Sequence, residues 1–187
     1  MKKNKEKKEN DLWICVLLLT TLTILTESLK TYTFRIMGVD LTYALFLLPG
    51  AYFLINYIAK KYDYKRAIAA IAISGVVFTS FSFIMAYFLE SNFILRSVSG
   101  ELCAYVVSSF INLTIYMFLL NNTESPQILV LFNYIFSLVV YYLFYTLIYL
   151  NMIIFDTYWI GYFITLCIQL FICIGLTILD KKIKRGQ

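Results

Sequence analysis

Glu101, Tyr105, Ser108 and Asn112 recur at intervals of four, three and four residues, the spacing that lays side chains in one line along a helix. A carboxylate, a phenol, a hydroxyl and a carboxamide in one line suit hydrogen-bond recognition of a ligand more than bond making. Similar lines recur along the chain. Asn133, Ser137 and Tyr141 are spaced by four, Tyr162, Thr165 and Gln169 by three and four, and Tyr52 precedes Asn56 by one turn, with Pro49 as a kink site just ahead. Thr20, Thr23 and Glu27 form a fifth line near the start.

These lines sit inside segments apolar enough to cross a bilayer, where a polar group facing lipid costs several kcal/mol, of order 2–7. The groups are therefore expected to face neighbouring helices or a shared cavity. For a single Ser or Thr the simpler expectation is interhelical hydrogen-bond glue, worth a fraction to about 2 kcal/mol. Glu27 and Glu101 stand apart, because an intramembrane carboxylate is expensive and by default functional, although both lie near span ends where water would solvate them. Arg96 lies just before the fourth span, within reach of Glu101, Glu27 or a ligand anion. Tyrosines near span ends have the interfacial belt as their ordinary role.

The elements that must carry these lines follow from composition. Of 187 residues 61% are hydrophobic and 14% charged, and mean hydropathy is +0.77, which no soluble domain matches. Hydropathy gives six spans, at 12–29, 41–59, 67–89, 101–120, 128–150 and 158–179. The expected fold is an all-α integral membrane bundle of about six helices: a basic tail at 1–11, the transmembrane domain at 12–179 and a second basic tail at 180–187. LWICVLLLTTLTIL has the look of a signal-peptide core but is followed by no small-x-small cleavage site, so it is read as a retained helix.

Basic residues test this count. Lys2, Lys3, Lys5, Lys7 and Lys8 precede the first span, Lys60, Lys61, Lys65 and Arg66 lie between the second and third, and Lys181, Lys182, Lys184 and Arg185 follow the sixth. With both termini cytoplasmic, only Lys30, Arg35 and Arg96 of the 16 basic residues fall outside, as the positive-inside rule asks. The segment at 121–125 has neither Lys nor Arg and is silent on the matter. The net charge of +5 is thus a topology signal, and nucleic-acid binding is not expected.

Several chemistries are excluded. There is no histidine, so no His proton relay, zinc-hydrolase site or Ser-His-Asp triad. Cys15, Cys103, Cys167 and Cys173 all fall inside spans, where thiols behave as small hydrophobes, and no metal or disulfide framework is visible. No Gly-rich loop ends in Lys-Ser or Lys-Thr, so energy for any transport must come from a gradient or a separate ATPase. Neither paired acids nor a Ser-Lys dyad occurs at helical spacing, and an enzyme is not expected.

Four stretches carry a resemblance: GVDLTYALFLLPGAYFLINYIAKKYDYKRA at 38–67, RSVSGELCAYVVSSFIN at 96–112, LFNYIFSLVVYYLFY at 131–145 and GYFITLCIQLF at 161–171. In order and spacing they resemble the VUT group of vitamin-uptake-like transporters, whose characterised members carry queuosine precursors. The resemblance implies a six-helix carrier for a 7-deazaguanine. Where the family has Asp in the second, fourth and fifth helices this chain has Asn56, Asn112 and Ser137. Thr165 stands for a common Lys, and Glu101 for a small residue.

On this reading Asn56, Asn112, Asn133 and Gln169 would grip the edge of a planar heterocycle, with Ser108, Ser137 and Thr165 beside them. Tyr52, Tyr105 and Tyr141 would stack on its face, and Arg96 or Glu101 would gate the cavity from outside. The expected function is uptake of a small heterocyclic solute, with no cofactor or metal, across a bacterial plasma membrane. A homo-oligomer or a separate energising partner is left open. The alternatives are the substrate-binding component of an energy-coupling-factor transporter, whose small-xxx-small docking signature the first helix lacks, and a scaffold that transports nothing.

Overall fold

A computed structural model describes residues 2–29, 32–36, 39–88, 92–122, 127–149 and 155–183. Six α-helices run in chain order: α1 Lys2–Ser28, α2 Leu48–Lys61, α3 Tyr64–Phe88, α4 Asn92–Asn121, α5 Gln127–Tyr149 and α6 Phe155–Lys182. All but α2 are long and apolar enough to cross a membrane. The first span is continuous with the basic start of the chain, since α1 is helical from Lys2.

The second expected span is not one long helix. Between α1 and α2 the chain forms a hairpin of β1 (Thr33–Ile36) and β2 (Val39–Thr42), antiparallel with Ile36 opposite Val39 at its tight end. A 3₁₀ turn, Tyr43–Phe46, follows. Helix α2 then has only 14 residues, about 21 Å at 1.5 Å per residue against a hydrocarbon core of about 30 Å. Pro49 does not kink it. Pro49 sits in the first turn, where its missing N–H breaks no bond, so it starts the helix. At the other end Asp63 caps α3, accepting a 2.7 Å bond from the Arg66 backbone N–H.

This short helix lies in the middle of the bundle, packed against all five of the others. Around it α4 packs on α3 and α5, α1 on α3, and α6 on α5. The starts of α1 and α3 and the end of α6 meet at one end, hereafter the basic end: Lys61 lies 3.9 Å from Asp11 and Lys60 3.2 Å from Asp180. The hairpin marks the opposite end.

Burial is inverted relative to a soluble domain. Asn56, Ser74, Ser108, Ser109, Asn112, Ser137 and Gln169 are fully buried, whereas Leu17, Val76, Phe118, Phe163 and Phe171 stand outward, Phe171 with 75% of its surface exposed. A chain that places amides inside and large apolar side chains outside is built for a hydrocarbon solvent. Cys15 and Cys173 are buried and Cys103 and Cys167 face out, all as free thiols.

Candidate functional site

The polar lines converge on α2 and form a column between α2, α4, α5 and α6. Its centre is a cluster of three amides. Asn112 on α4 donates to Asn56 Oδ1 on α2 at 2.8 Å, and the return contact from Asn56 Nδ2 to Asn112 Oδ1 is 3.5 Å. Asn133 on α5 donates from Nδ2 to both the side-chain oxygen and the backbone carbonyl of Asn112, at 2.9 and 3.1 Å. Both partners of that Nδ2 are acceptors, which fixes the orientation of the Asn133 amide. Its Oδ1 is left buried without a hydrogen bond. The Tyr134 hydroxyl, beside Asn56, and the Ser109 hydroxyl, beside Tyr105, are also buried.

One turn toward the hairpin, the Tyr52 hydroxyl donates to Ser108 Oγ at 2.7 Å and approaches the Ser137 carbonyl at 3.3 Å. Ser108 passes the chain on to the Ala104 carbonyl at 2.6 Å, and Ser137 bonds the Asn133 carbonyl at 2.7 Å. Nearer still to the hairpin is a cavity lined by Thr23, Thr26, Leu48, Ala51, Phe78, Glu101, Tyr105 and Tyr141. About 20 Å³ of it is open to the centre of a water molecule, room for about one water. Glu101, at 5% exposure, is buried here and is not a solvated interfacial residue. The Tyr105 hydroxyl shares a 2.8 Å bond with Ser74 on α3.

Of the residues singled out by sequence, Tyr52, Asn56, Ser108, Asn112, Asn133 and Ser137 come together in one network, and Glu101, Tyr105 and Tyr141 line the cavity. Gln169 lies alongside, accepting a 2.9 Å bond from Tyr142, whose ring stacks on Tyr162 with centroids 4.9 Å apart. Thr165 does not join: its hydroxyl bonds the Gly161 carbonyl of its own helix at 2.7 Å. Tyr141 stacks on Tyr145 with ring centroids 6.3 Å apart. Arg96 is on α4, and its side chain, like that of Glu27, lies outside the described residues.

The three amides pair with one another, and a solute would have to part them.

Five participants were missed by sequence reading. Ser74 and Tyr142 looked like ordinary span residues. At the basic end, Lys60 Nζ meets Asp180 Oδ2 at 3.2 Å and the Asp180 carbonyl at 2.7 Å, while the Tyr116 hydroxyl donates to Asp180 Oδ1 at 2.7 Å. Lys60 and Tyr116 each continue a line already noticed, four residues beyond Asn56 and Asn112, which is the signal that would have found them. Nearby, Lys61 bonds the Tyr57 hydroxyl at 2.8 Å, which raises its pKa above the usual lysine value.

Five membrane-length helices around a buried polar column define a multi-pass helical membrane protein. No protein-family model, no curated protein and no solved structure matches this chain.

Proposed function

We propose that this protein is a membrane transporter for uptake of a small planar heterocycle, of the 7-deazaguanine type carried by the group it resembles, across a bacterial plasma membrane. One observation carries the reading. Three amides from three helices meet where no solvent competes, and one of their acceptors, Asn133 Oδ1, has no partner. A buried unpaired acceptor costs about 1–3 kcal/mol, and a solute N–H would remove that cost. Amide edges read the donors and acceptors of a heterocycle, and Tyr52 and Tyr134 border the cluster with flat apolar rings. The chain has no ATP-binding loop, so a gradient or a separate energising partner drives the cycle.

The test is uptake of labelled 7-cyano-7-deazaguanine and 7-aminomethyl-7-deazaguanine by cells unable to make them. Uptake that depends on the protein and disappears in Asn112→Ala is the expected result. Absence of uptake of either compound by a well-expressed protein overturns the substrate class.

A second reading, a scaffold that moves nothing, is favoured by the mutual pairing of Asn56, Asn112 and Asn133, which is how interhelical glue behaves. Under it, replacing Asn112 and Glu101 together disturbs folding or partner binding and changes no solute flux.

A further inference from the structure

At the basic end the column stops at a group that the recognition of a solute does not use. Lys60 comes from the last turn of α2, Tyr116 from α4 and Asp180 from the last turn of α6. The side chains of Lys60 and Asp180 are only 11% and 4% exposed. One ammonium holds both a carboxylate oxygen and a terminal carbonyl of α6, and the remaining carboxylate oxygen is taken by the phenol. The three side chains therefore tie three helix ends together directly below the amides, since Lys60 is one turn from Asn56 and Tyr116 one turn from Asn112.

For plain stability, apolar side chains of similar volume would seal this end as well or better, because burying an ion pair costs desolvation that its attraction repays only in part. An ion pair differs in being bistable. Paired, it closes the gap between α2 and α6; parted, both charges hydrate and hold the gap open to water. Lysine at the α2 end also faces the negative ends of the α2 and α6 dipoles, which favours the closed arrangement.

We propose that Lys60, Tyr116 and Asp180 form a gate at the basic end of the column, closed in this structure, which seals the amide cluster from water on that side and opens to let solute pass. The passage of solute rests on the transport reading above. The seal does not, and the experiment separates them.

Cys173 supplies a native reporter. It is fully buried in the core, seven residues before Asp180 on the inward side of α6. In a protein with Cys15, Cys103 and Cys167 replaced by Ser, the labelling rate of Cys173 by a membrane-impermeant cationic methanethiosulfonate is measured in vesicles of each sidedness. The parent should label slowly. Lys60→Met and Asp180→Asn should each label faster by about tenfold or more, the population shift that loss of one buried polar interaction sustains, and only from the side bearing the basic end. The charge-swapped double variant, Lys60→Asp with Asp180→Lys, should return toward the slow rate. Tyr116→Phe, which removes one bond and keeps the ring, should give a smaller rise and serves where a charge variant fails to assemble.

Unchanged rates in well-assembled Lys60→Met, Asp180→Asn and Tyr116→Phe overturn the gate, as does acceleration from the hairpin side. Faster labelling without deazaguanine uptake by the parent keeps the gate and discards the substrate. Uptake with no change in labelling discards the gate alone.

Discussion

Asn112 is the residue on which most of the column depends, since it donates to Asn56 and accepts from Asn133 and Asn56. Asn112→Ala should therefore destabilise the protein by about 1–3 kcal/mol, read as a lower melting temperature in detergent. Ser82→Ala is the matching contrast. Its hydroxyl is buried without a partner, so its removal should leave stability within about 0.5 kcal/mol of the parent or raise it. At this scale the spacing of Asn56, Asn112, Asn133, Ser108 and Ser137 was enough to place them together. Thr165 stands outside the network because a helical threonine can satisfy itself on the carbonyl four residues back, as Thr20, Thr114 and Thr177 also do. Lys60 and Asp180 were missed for a different reason: charges at span ends normally face water, and a one-dimensional charge pattern does not say which of them turns inward.

Among the elements, α2 departs most from expectation. Hydropathy averages over 41–59 without asking whether the backbone there is helical, so a hairpin strand, a 3₁₀ turn and a short helix read as one span. The hairpin did leave a trace in the β-branched and aromatic residues of TYTFRI, but four-residue strands give too short a run for periodicity to resolve. The longer spans were legible because each carries a membrane-length apolar window, although α1 and α4 begin about ten and nine residues before the expected starts at 12 and 101. Gly75 on α3 faces α4. A Cβ at that position would meet Leu102 Cδ1 at 3.6 Å and Val106 Cγ2 at 3.9 Å, ordinary contact distances, so Gly75→Ala should melt close to the parent. Gly75→Phe has no such room and should cost about 1–3 kcal/mol through overpacking, with the same melting assay deciding between them.

For the whole molecule, the start of α1 and the end of α6 lie at one end, and the distribution of Lys and Arg predicts that this end is cytoplasmic. Reporter domains fused before Met1 and after Gln187 should both read as cytoplasmic. Thr33, exposed on β1, should as Thr33→Cys react with an impermeant reagent only from the external side. The opposite pattern in both assays would invert the assignment and place the gate outside. The inverted burial, with amides inside and phenylalanines outside, followed from composition. The closure of the amides on one another did not, because spacing tells which residues share a face and not whether a ligand or a neighbour occupies it.

The central position of α2 also sets a timetable. Its partners are made late: Ser108 and Asn112 lie 56 residues after Tyr52 and Asn56, and Asp180 lies 120 residues after Lys60. At about 5–20 residues per second that last interval is roughly 6 to 24 seconds, during which a half-made chain holds Lys60 without its native partner. The ribosome must finish before the bundle can, and a chain stopped after Tyr149 should be cleared rapidly in a pulse-chase while the full chain persists.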